Sequence, residues 1–201
     1  MSFRGQLVHQ FLADLAAKQP TPGGGAVAGL CGALSSALAQ MVVSYSLGKK
    51  SLAQHQHMLE DAARRLERAR SIFLELADED AEAYALLNEI SRLPDTDPRR
   101  ARDLPGATQA AVSVPMSVAA AAVDALRLLR ALCGASNPHL RSDLAIAAVL
   151  AEATARAARW NVVINLSTSV PGLEAERLRT QVESLTVDAT RLCAEVERAC
   201  L

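Results

Sequence analysis

The chain carries no charged residue from Gly25 to Gly48, and this run constrains the fold more than any other feature. It is long enough to cross a bilayer. It is built largely from alanine, glycine and serine, with polar Ser35 and Gln40 inside it, so its apolarity is shallow for a lone membrane span. We therefore predict a helix at the centre of a soluble bundle or dimer, where Gly25, Gly29 and Gly32 let neighbouring backbones approach closely.

Length and composition narrow the class of protein further. The chain has 201 residues, 21 basic against 22 acidic, a net charge of -1, and only 3% aromatic residues. The length suits one domain over residues 1–201, and the charge balance argues against a nucleic-acid partner. No segment alternates with period two, so we predict an all-α fold, a multi-helix bundle with long antiparallel helices.

The cysteines and histidines argue against metal and disulfide sites. The cysteines lie far apart, with no C-x-x-C pair, and the histidines contain no i, i+4 pair. We expect no metal and no disulfide framework. The N-terminus lacks a signal-peptide pattern, so we expect a cytoplasmic protein. We expect no membrane partner.

Apolar spacing and helix breakers predict where the helices lie. Asp97-Pro98 predicts a helix start, Leu104-Pro105-Gly106 a break, and Pro115 a start or kink of the next helix. Ser142 is predicted to be an N-cap, and Pro171-Gly172 a turn. The predicted helices cover about 6–17, 25–47, 54–90, 115–132, 142–166 and 173–200.

Asp80 interrupts the apolar stripe of the longest helix. The stripe runs from Leu59 to Ile90 in alternating steps of three and four, and Asp80 stands where an apolar residue is expected. A carboxylate there must be paired, hydrogen-bonded or raised in pKa, and a raised pKa suits a general acid near neutral pH. A structural ion pair with an arginine on another helix is the alternative.

Most of the other polar residues have two interpretations. The Gly23-Gly24-Gly25 loop is either a turn or an anion-binding loop at a helix N-terminus. Lys49 and Lys50 either oppose a helix dipole or contact an anionic ligand. Asp143 suits the first turn of any helix. Asn161 and Asn165 share a helical face, so each needs an internal polar partner or a ligand.

Eight short motifs, spread in order over almost the whole chain, carry a family resemblance. They are Phe11-Leu12, Pro20–Ala28, Ser46–Lys50, Asp78–Tyr84, Arg92–Pro94, Val114–Met116, Arg141–Leu144 and Asn161–Leu166. With these motifs the chain resembles the folate cyclodeaminase/cyclohydrolase family. That family comprises the C-terminal domain of formiminotransferase-cyclodeaminase and the free-standing methenyltetrahydrofolate cyclohydrolases.

The resemblance implies an all-helical homodimer that acts on a tetrahydrofolate derivative as substrate, without a further cofactor. It implies Asp80 as the catalytic acid/base, and a substrate site lined by the glycine loop and the Ser-Asp helix start. The expected substrate-binding residues are Thr21, Pro22, Gly23, Gly24, Gly25, Lys49, Lys50, Ser142, Asp143, Asn161 and Asn165.

The implied reaction is either of two one-carbon steps, and the sequence does not choose between them. One is the cyclodeaminase reaction, which converts 5-formiminotetrahydrofolate to 5,10-methenyltetrahydrofolate and ammonia. The other is the hydrolysis of methenyltetrahydrofolate. The alternative from another class of protein is a non-catalytic helical dimer of the same fold that binds a folate-like or other small ligand.

Overall fold

A computed structural model describes residues 2–169 and 172–201, without the side chains of residues 167–169. These residues form a bundle of long helices, and no strand occurs among them. The helices are α1 (Val8–Ala16), α2 (Gly24–Ser44), α3 (Gln56–Ser91), α4 (Pro98–Leu132), α5 (Arg141–Ser169) and α6 (Gly172–Cys200). Short 3-10 helices cover Phe3–Gly5, Lys50–His55 and Pro138–Leu140. The all-α prediction is confirmed.

Helices α2 to α5 form the body of the bundle. Helix α2 packs on α3 and α5, α4 packs on α3 and α5, and α6 lies against α4 and α5. The predicted stripe of α3 faces this core, since Leu59, Leu66, Phe73 and Ile90 are fully buried. Burial of large apolar side chains is the main stabilising contribution to such a bundle.

The small residues of α2 let it approach α3 closely, as the sequence predicts. A Cβ atom added to Gly29 would lie 2.8 Å from the Cβ of Ala77 and 2.8 Å from the backbone oxygen of Phe73. A Cβ added to Gly32 would lie 2.5 Å from the Phe73 ring. Any larger residue at either position therefore has to push the two helices apart.

Helices α2 and α5 run antiparallel and share polar contacts. Ser35 Oγ donates a hydrogen bond to the backbone oxygen of Ala147 at 2.7 Å. One turn closer to the start of α2, Cys31 Sγ donates to the backbone oxygen of Leu150 at 3.4 Å. These contacts give the half-buried Cys31 thiol and the buried Ser35 hydroxyl a hydrogen-bond acceptor within the bundle.

The predicted break at Leu104-Pro105-Gly106 is wrong, because α4 continues through it. The predicted start is confirmed: Pro98 is the first helical residue, and the Asp97 side chain accepts a hydrogen bond from the backbone N–H of Arg99 at 2.8 Å. Pro105 frees the backbone oxygen of Ala101, but Ala101 is exposed and water can satisfy that oxygen. The buried residues of α4 beyond this point outweigh the local cost of the proline.

The start of α5 also differs from the prediction. The 3-10 helix Pro138–Leu140 leads directly into α5 at Arg141, so Ser142 is in the first turn and is not the N-cap. Asn137 caps the 3-10 helix instead, since its side chain accepts from the backbone N–H of His139 at 3.3 Å. Asp143 occupies the first turn of α5, as predicted. In the predicted turn at Pro171-Gly172, Pro171 lies outside the described residues, and Gly172 begins α6 with a positive φ of 65°.

Two helices, α2 and α4, are long and apolar enough to cross a membrane by length and composition. In the bundle, 56% of the apolar window of α2 and 61% of that of α4 are buried against other helices. The central helix of a soluble bundle passes the same test, so these helices are weak evidence for a membrane span.

Candidate active site

A cavity of about 270 Å³ lies where the first turn of α2 meets α3, α4 and α5. Three motifs that lie far apart in the sequence meet in its walls. Its lining residues are Pro20, Thr21, Gly23, Gly24, Gly25, Asp80, Ala81, Tyr84, Ala111, Asn161, Ile164 and Asn165. Of the predicted loop residues, Pro22 alone is absent from this lining, and it is buried.

The glycine loop brings the start of α2 against Asp80. Gly23 is the N-cap of α2, and a Cβ atom on Gly25 would overlap the Asp80 carboxyl group. Only a residue without a side chain allows this approach. The first-turn N–H groups of a helix have no helical acceptor and form the positive end of the helix dipole. The Asp80 carboxyl group lies at this end of α2.

The Asp80 carboxyl group has no ion-pair or hydrogen-bond partner among the residues that the structure describes. Burial raises its pKa from 3.8 to about 6. A carboxyl group in this state can hold a proton near neutral pH and also release it. Asp78, two residues earlier, differs because it accepts hydrogen bonds from Ser2 Oγ and the backbone N–H of Phe3, both at 2.7 Å.

The two predicted asparagines reach the cavity but use their amide groups differently. Asn161 Nδ2 is buried and has no hydrogen-bond partner within the described ranges. Asn165 Nδ2 donates to the backbone oxygen of Ala111 at 2.6 Å. The side-chain oxygen of Asn161 lies 3.5 Å from the position that a Cβ on Gly24 would occupy. The Asn161 amide is therefore adjacent to the glycine loop.

Tyr84 lines the cavity although sequence reasoning did not select it. Its side chain is half exposed and lies one helical turn after Asp80 on α3. The i, i+4 spacing was the signal that could have identified it, because residues four apart share a helical face. Sequence reasoning also missed Ala111 on α4 and Ile164 on α5. The local sequence does not show how these two helices pack on α3 and α2.

A larger cavity of about 830 Å³ lies between α3, α4 and α6 and contains none of the predicted site residues. Its two arginines have partners within the chain. Arg100 donates to backbone oxygens of Ser91 and Leu93 at the end of α3, and Arg177 pairs with Glu174 at 2.6 Å. The smaller cavity is therefore the better candidate for chemistry.

Comparison with known proteins identifies the family. The family model described as "Formiminotransferase-cyclodeaminase" matches residues 7–184. The chain belongs to the formiminotransferase-cyclodeaminase family. This is a family of all-α folate one-carbon enzymes.

The chain is similar to relatives named cyclodeaminase and to a relative named cyclohydrolase. The formimidoyltransferase-cyclodeaminase of Mus musculus is 32% identical over 92% of this chain, which spans 35% of that relative. The methenyltetrahydrofolate cyclohydrolase of Methylorubrum extorquens is 28% identical over 93% of this chain and 92% of its own length. A formiminotetrahydrofolate cyclodeaminase from Thermotoga maritima has a TM-score of 0.89 at 28% identity, covering 97% of this chain and 96% of the other.

Four predicted site residues of this cyclodeaminase-family chain lie far from the cavity. Lys49 and Lys50 follow the end of α2, and Ser142 and Asp143 are in the first turn of α5. The two segments are neighbours, because the backbone N–H of Asn137 donates to Ser46 Oγ at 2.8 Å. Helix α2 has 21 residues, so this group lies about 30 Å from the glycine loop within one copy.

The described residues offer no metal centre, since no group of three or more His, Cys, Asp or Glu side chains occurs among them. The ionisable group with a strongly raised pKa at the cavity is Asp80. A carboxyl group with this pKa suits proton transfer, and the cavity walls can place the reacting groups precisely.

Proposed function

We propose that this chain is a folate one-carbon enzyme that closes or opens the 5,10-methenyl ring of tetrahydrofolate, with Asp80 as the proton-transfer group. The observation that carries the proposal is the Asp80 carboxyl against the start of α2, with a pKa of about 6 and no partner among the described residues. Relatives named cyclodeaminase and cyclohydrolase both support this class of reaction.

In the cyclodeaminase reaction, N10 attacks the formimino carbon that is bonded to N5. The new C–N10 bond creates a tetrahedral adduct, and the bond from carbon to the terminal nitrogen then breaks. The formimino group reacts in its protonated form, and ionised Asp80 accepts the proton that N10 loses. The resulting acid donates that proton to the terminal amine, which leaves as ammonia. One carboxyl with a pKa near the working pH serves both steps.

In the cyclohydrolase reaction, water adds to the methenyl carbon and the C–N5 bond breaks, which gives 10-formyltetrahydrofolate. Asp80 accepts one proton from the water and delivers it to N5 as that bond breaks, and the second water proton leaves to solvent as the hydroxyl becomes the formyl carbonyl. The two reactions therefore require the same carboxyl and differ in the atom that attacks the carbon. Asn161 Nδ2, which has no partner in the described part of the chain, is a donor for a substrate acceptor atom in both cases.

The proposed function is tested by assaying the purified chain with both folate substrates. Formation or loss of methenyltetrahydrofolate absorbance reports either reaction. Asp80→Asn keeps the shape of the side chain but cannot exchange a proton, so turnover should fall by about 10²- to 10⁴-fold.

Asp78→Asn is the matched control and should retain turnover, because Asp78 holds the N-terminal segment. Full activity in Asp80→Asn would remove Asp80 from the mechanism. Folate binding without turnover by the unmodified chain would identify the non-catalytic binding protein instead.

We propose further that the functional form is a cytoplasmic homodimer that pairs through one face of α2 and α5. The face is formed by exposed side chains of the two helices and carries few charges. Arg156 is exposed there, and the Arg159 guanidinium lies 5.3 Å from the centroid of the Trp160 ring. Its large apolar members are Val27, Leu34, Tyr45, Ile146, Val149, Trp160 and Ile164. A contiguous apolar surface of this kind is typical of a protein interface.

A second copy on this face would account for the distant site residues. A two-fold axis that runs across α2 and α5 turns the second copy end over end. The Lys49 and Ser142 end of that copy then lies beside the Asp80 cavity of the first. The substrate-binding roles proposed for Lys49, Lys50, Ser142 and Asp143 rest on this arrangement.

A further inference from the structure

Pro115 leaves a backbone oxygen of α4 without its usual partner at the wall of the cavity. In an α-helix the carbonyl of residue i accepts from the N–H of residue i+4, and proline has no N–H. The carbonyl concerned belongs to Ala111, which is buried and lines the cavity. A buried carbonyl without a donor is costly, so this oxygen needs a partner from elsewhere.

Asn165 supplies that partner from α5. Its Nδ2 donates to the Ala111 oxygen at 2.6 Å, across the junction of α4 and α5. The contact joins two walls of the cavity at the point where α4 cannot complete its own hydrogen bonding. The Asn165 side chain therefore sets the position of the helical turn at Ala111 relative to α5.

Asn161 provides the contrast, since it has the same side chain on the same face one turn earlier. Its Nδ2 is buried without a partner in the part of the chain that the structure describes. The two amides thus have different tasks: the Asn161 nitrogen is available to a ligand, whereas the Asn165 nitrogen is bonded to α4.

We infer that Asn165 is a positioning residue, which fixes the distance between the α4 and α5 walls by replacing the hydrogen bond that Pro115 removes. It acts on the substrate through Ala111. The inference rests on the proposed function for the nature of the substrate. Without the Asn165 amide, the Ala111 turn moves to reach water, and the cavity loses the width that fits the substrate.

The test is a double-mutant cycle on the full chain, with Asn165→Leu, Pro115→Ala and the double variant. Asn165→Leu should lower Tm by about 3 to 8 °C, because it leaves a buried carbonyl unpaired. Pro115→Ala restores an N–H for the Ala111 oxygen. Asn165→Leu should therefore cost much less when it is introduced into Pro115→Ala.

The kinetic measurement separates positioning from a general structural role. In the active wild-type background, Asn165→Leu should raise KM for the folate substrate about tenfold and change kcat less than twofold. Asn161→Leu is the matched control, which should weaken substrate binding without lowering Tm, since it removes an unpaired buried group.

Two results would overturn the inference: equal cost of Asn165→Leu in both backgrounds, or a lowered Tm with unchanged KM. Failure of the proposed function is a separate result, namely no turnover by the wild-type chain with either folate. The melting half of the cycle needs no substrate, so it decides whether Asn165 compensates Pro115 in that case too.

Discussion

At the scale of the single residue, Asp80 combines burial with the absence of a partner among the described residues. An ion pair would have lowered its pKa, whereas burial alone raises it to about 6. The protonated Asp80 carboxyl is therefore favoured in the folded state at mildly acidic pH. Its ionisation near neutral pH destabilises the folded state. This coupling makes the pKa of Asp80 measurable through stability as well as through catalysis.

We predict that Asp80 makes the stability of the fold decrease as pH rises from about 4 to 6. Within that range the unfolded chain has released the Asp80 proton and the folded chain still binds it, so the folded state is favoured at the acidic end. The cited pKa values correspond to at most roughly 3 kcal/mol in the free energy of unfolding.

The measurement is thermal melting of wild type and Asp80→Asn at pH 4 and pH 7, at equal protein concentration. The variant cannot ionise at this position, so its stability relative to wild type should be higher at pH 7 than at pH 4. A difference that does not change with pH would mean that the folded-state pKa of Asp80 is close to 3.8.

At the scale of the element, close contact between α2 and α3 is what places the glycine loop on Asp80. Gly25, Gly29 and Gly32 lie along one side of α2, and each meets α3 where a Cβ atom would collide. The same small-residue stripe therefore packs the bundle and forms one wall of the cavity. A change in the separation of the two helices is expected to affect both stability and the site.

Gly29→Ala should destabilise the fold by about 1 to 3 kcal/mol, because the new methyl group would lie 2.8 Å from backbone and side-chain atoms of α3. Gly106→Ala is the matched control within α4, since a Cβ there meets no atom within 4 Å. The control should stabilise the helix by up to about 1 kcal/mol.

Denaturant unfolding of the two variants checks this prediction. Opposite signs are expected for the two glycine-to-alanine changes. Equal stabilisation of both variants would show that α2 and α3 are not in the close contact described here.

At the scale of the whole molecule, the proposed pairing through the α2/α5 face would bring the two separated groups of predicted site residues together. The face extends between the Asp80 cavity and the group that contains Lys49 and Ser142, about 30 Å apart. The face therefore has both halves of the proposed site at its ends.

Val149→Lys should convert the proposed dimer to a monomer, because it would bury a charge in the proposed apolar interface. Val187→Lys on α6 is the matched control and should leave the oligomeric state unchanged. Val149 is 43% and Val187 68% exposed in the single copy, so neither change disturbs the core.

Analytical ultracentrifugation at micromolar concentration measures the outcome. The wild-type chain and Val187→Lys are expected as dimers, and Val149→Lys as a monomer with reduced turnover. A monomeric wild-type chain, or a monomeric variant with full turnover, would contradict the composite site.

The local pattern of the sequence was sufficient to predict most helices and to select Asp80. The periodic stripe from Leu59 to Ile90 depends only on residues three and four apart, so it can be read without knowing the fold. The sequence motifs likewise identified the family, which the comparison confirmed.

Local pattern failed where packing between distant segments outweighed it. A proline predicted a break at Pro105, yet the burial of the rest of α4 keeps the helix continuous. The Ser142 prediction failed because a preceding 3-10 helix already supplies the first turn.

The sequence by itself determined the helices, the acidic residue in an apolar stripe and the uncharged run of α2. The tertiary structure decided which of these meet: Gly25 with Asp80, Asn165 with Ala111, and Lys49 with neither. The physical reason is the sequence separation of the residues that interact. Helical periodicity and turns arise from neighbours within a few residues. A cavity depends on how four helices pack, and that packing is set by the burial of the whole core.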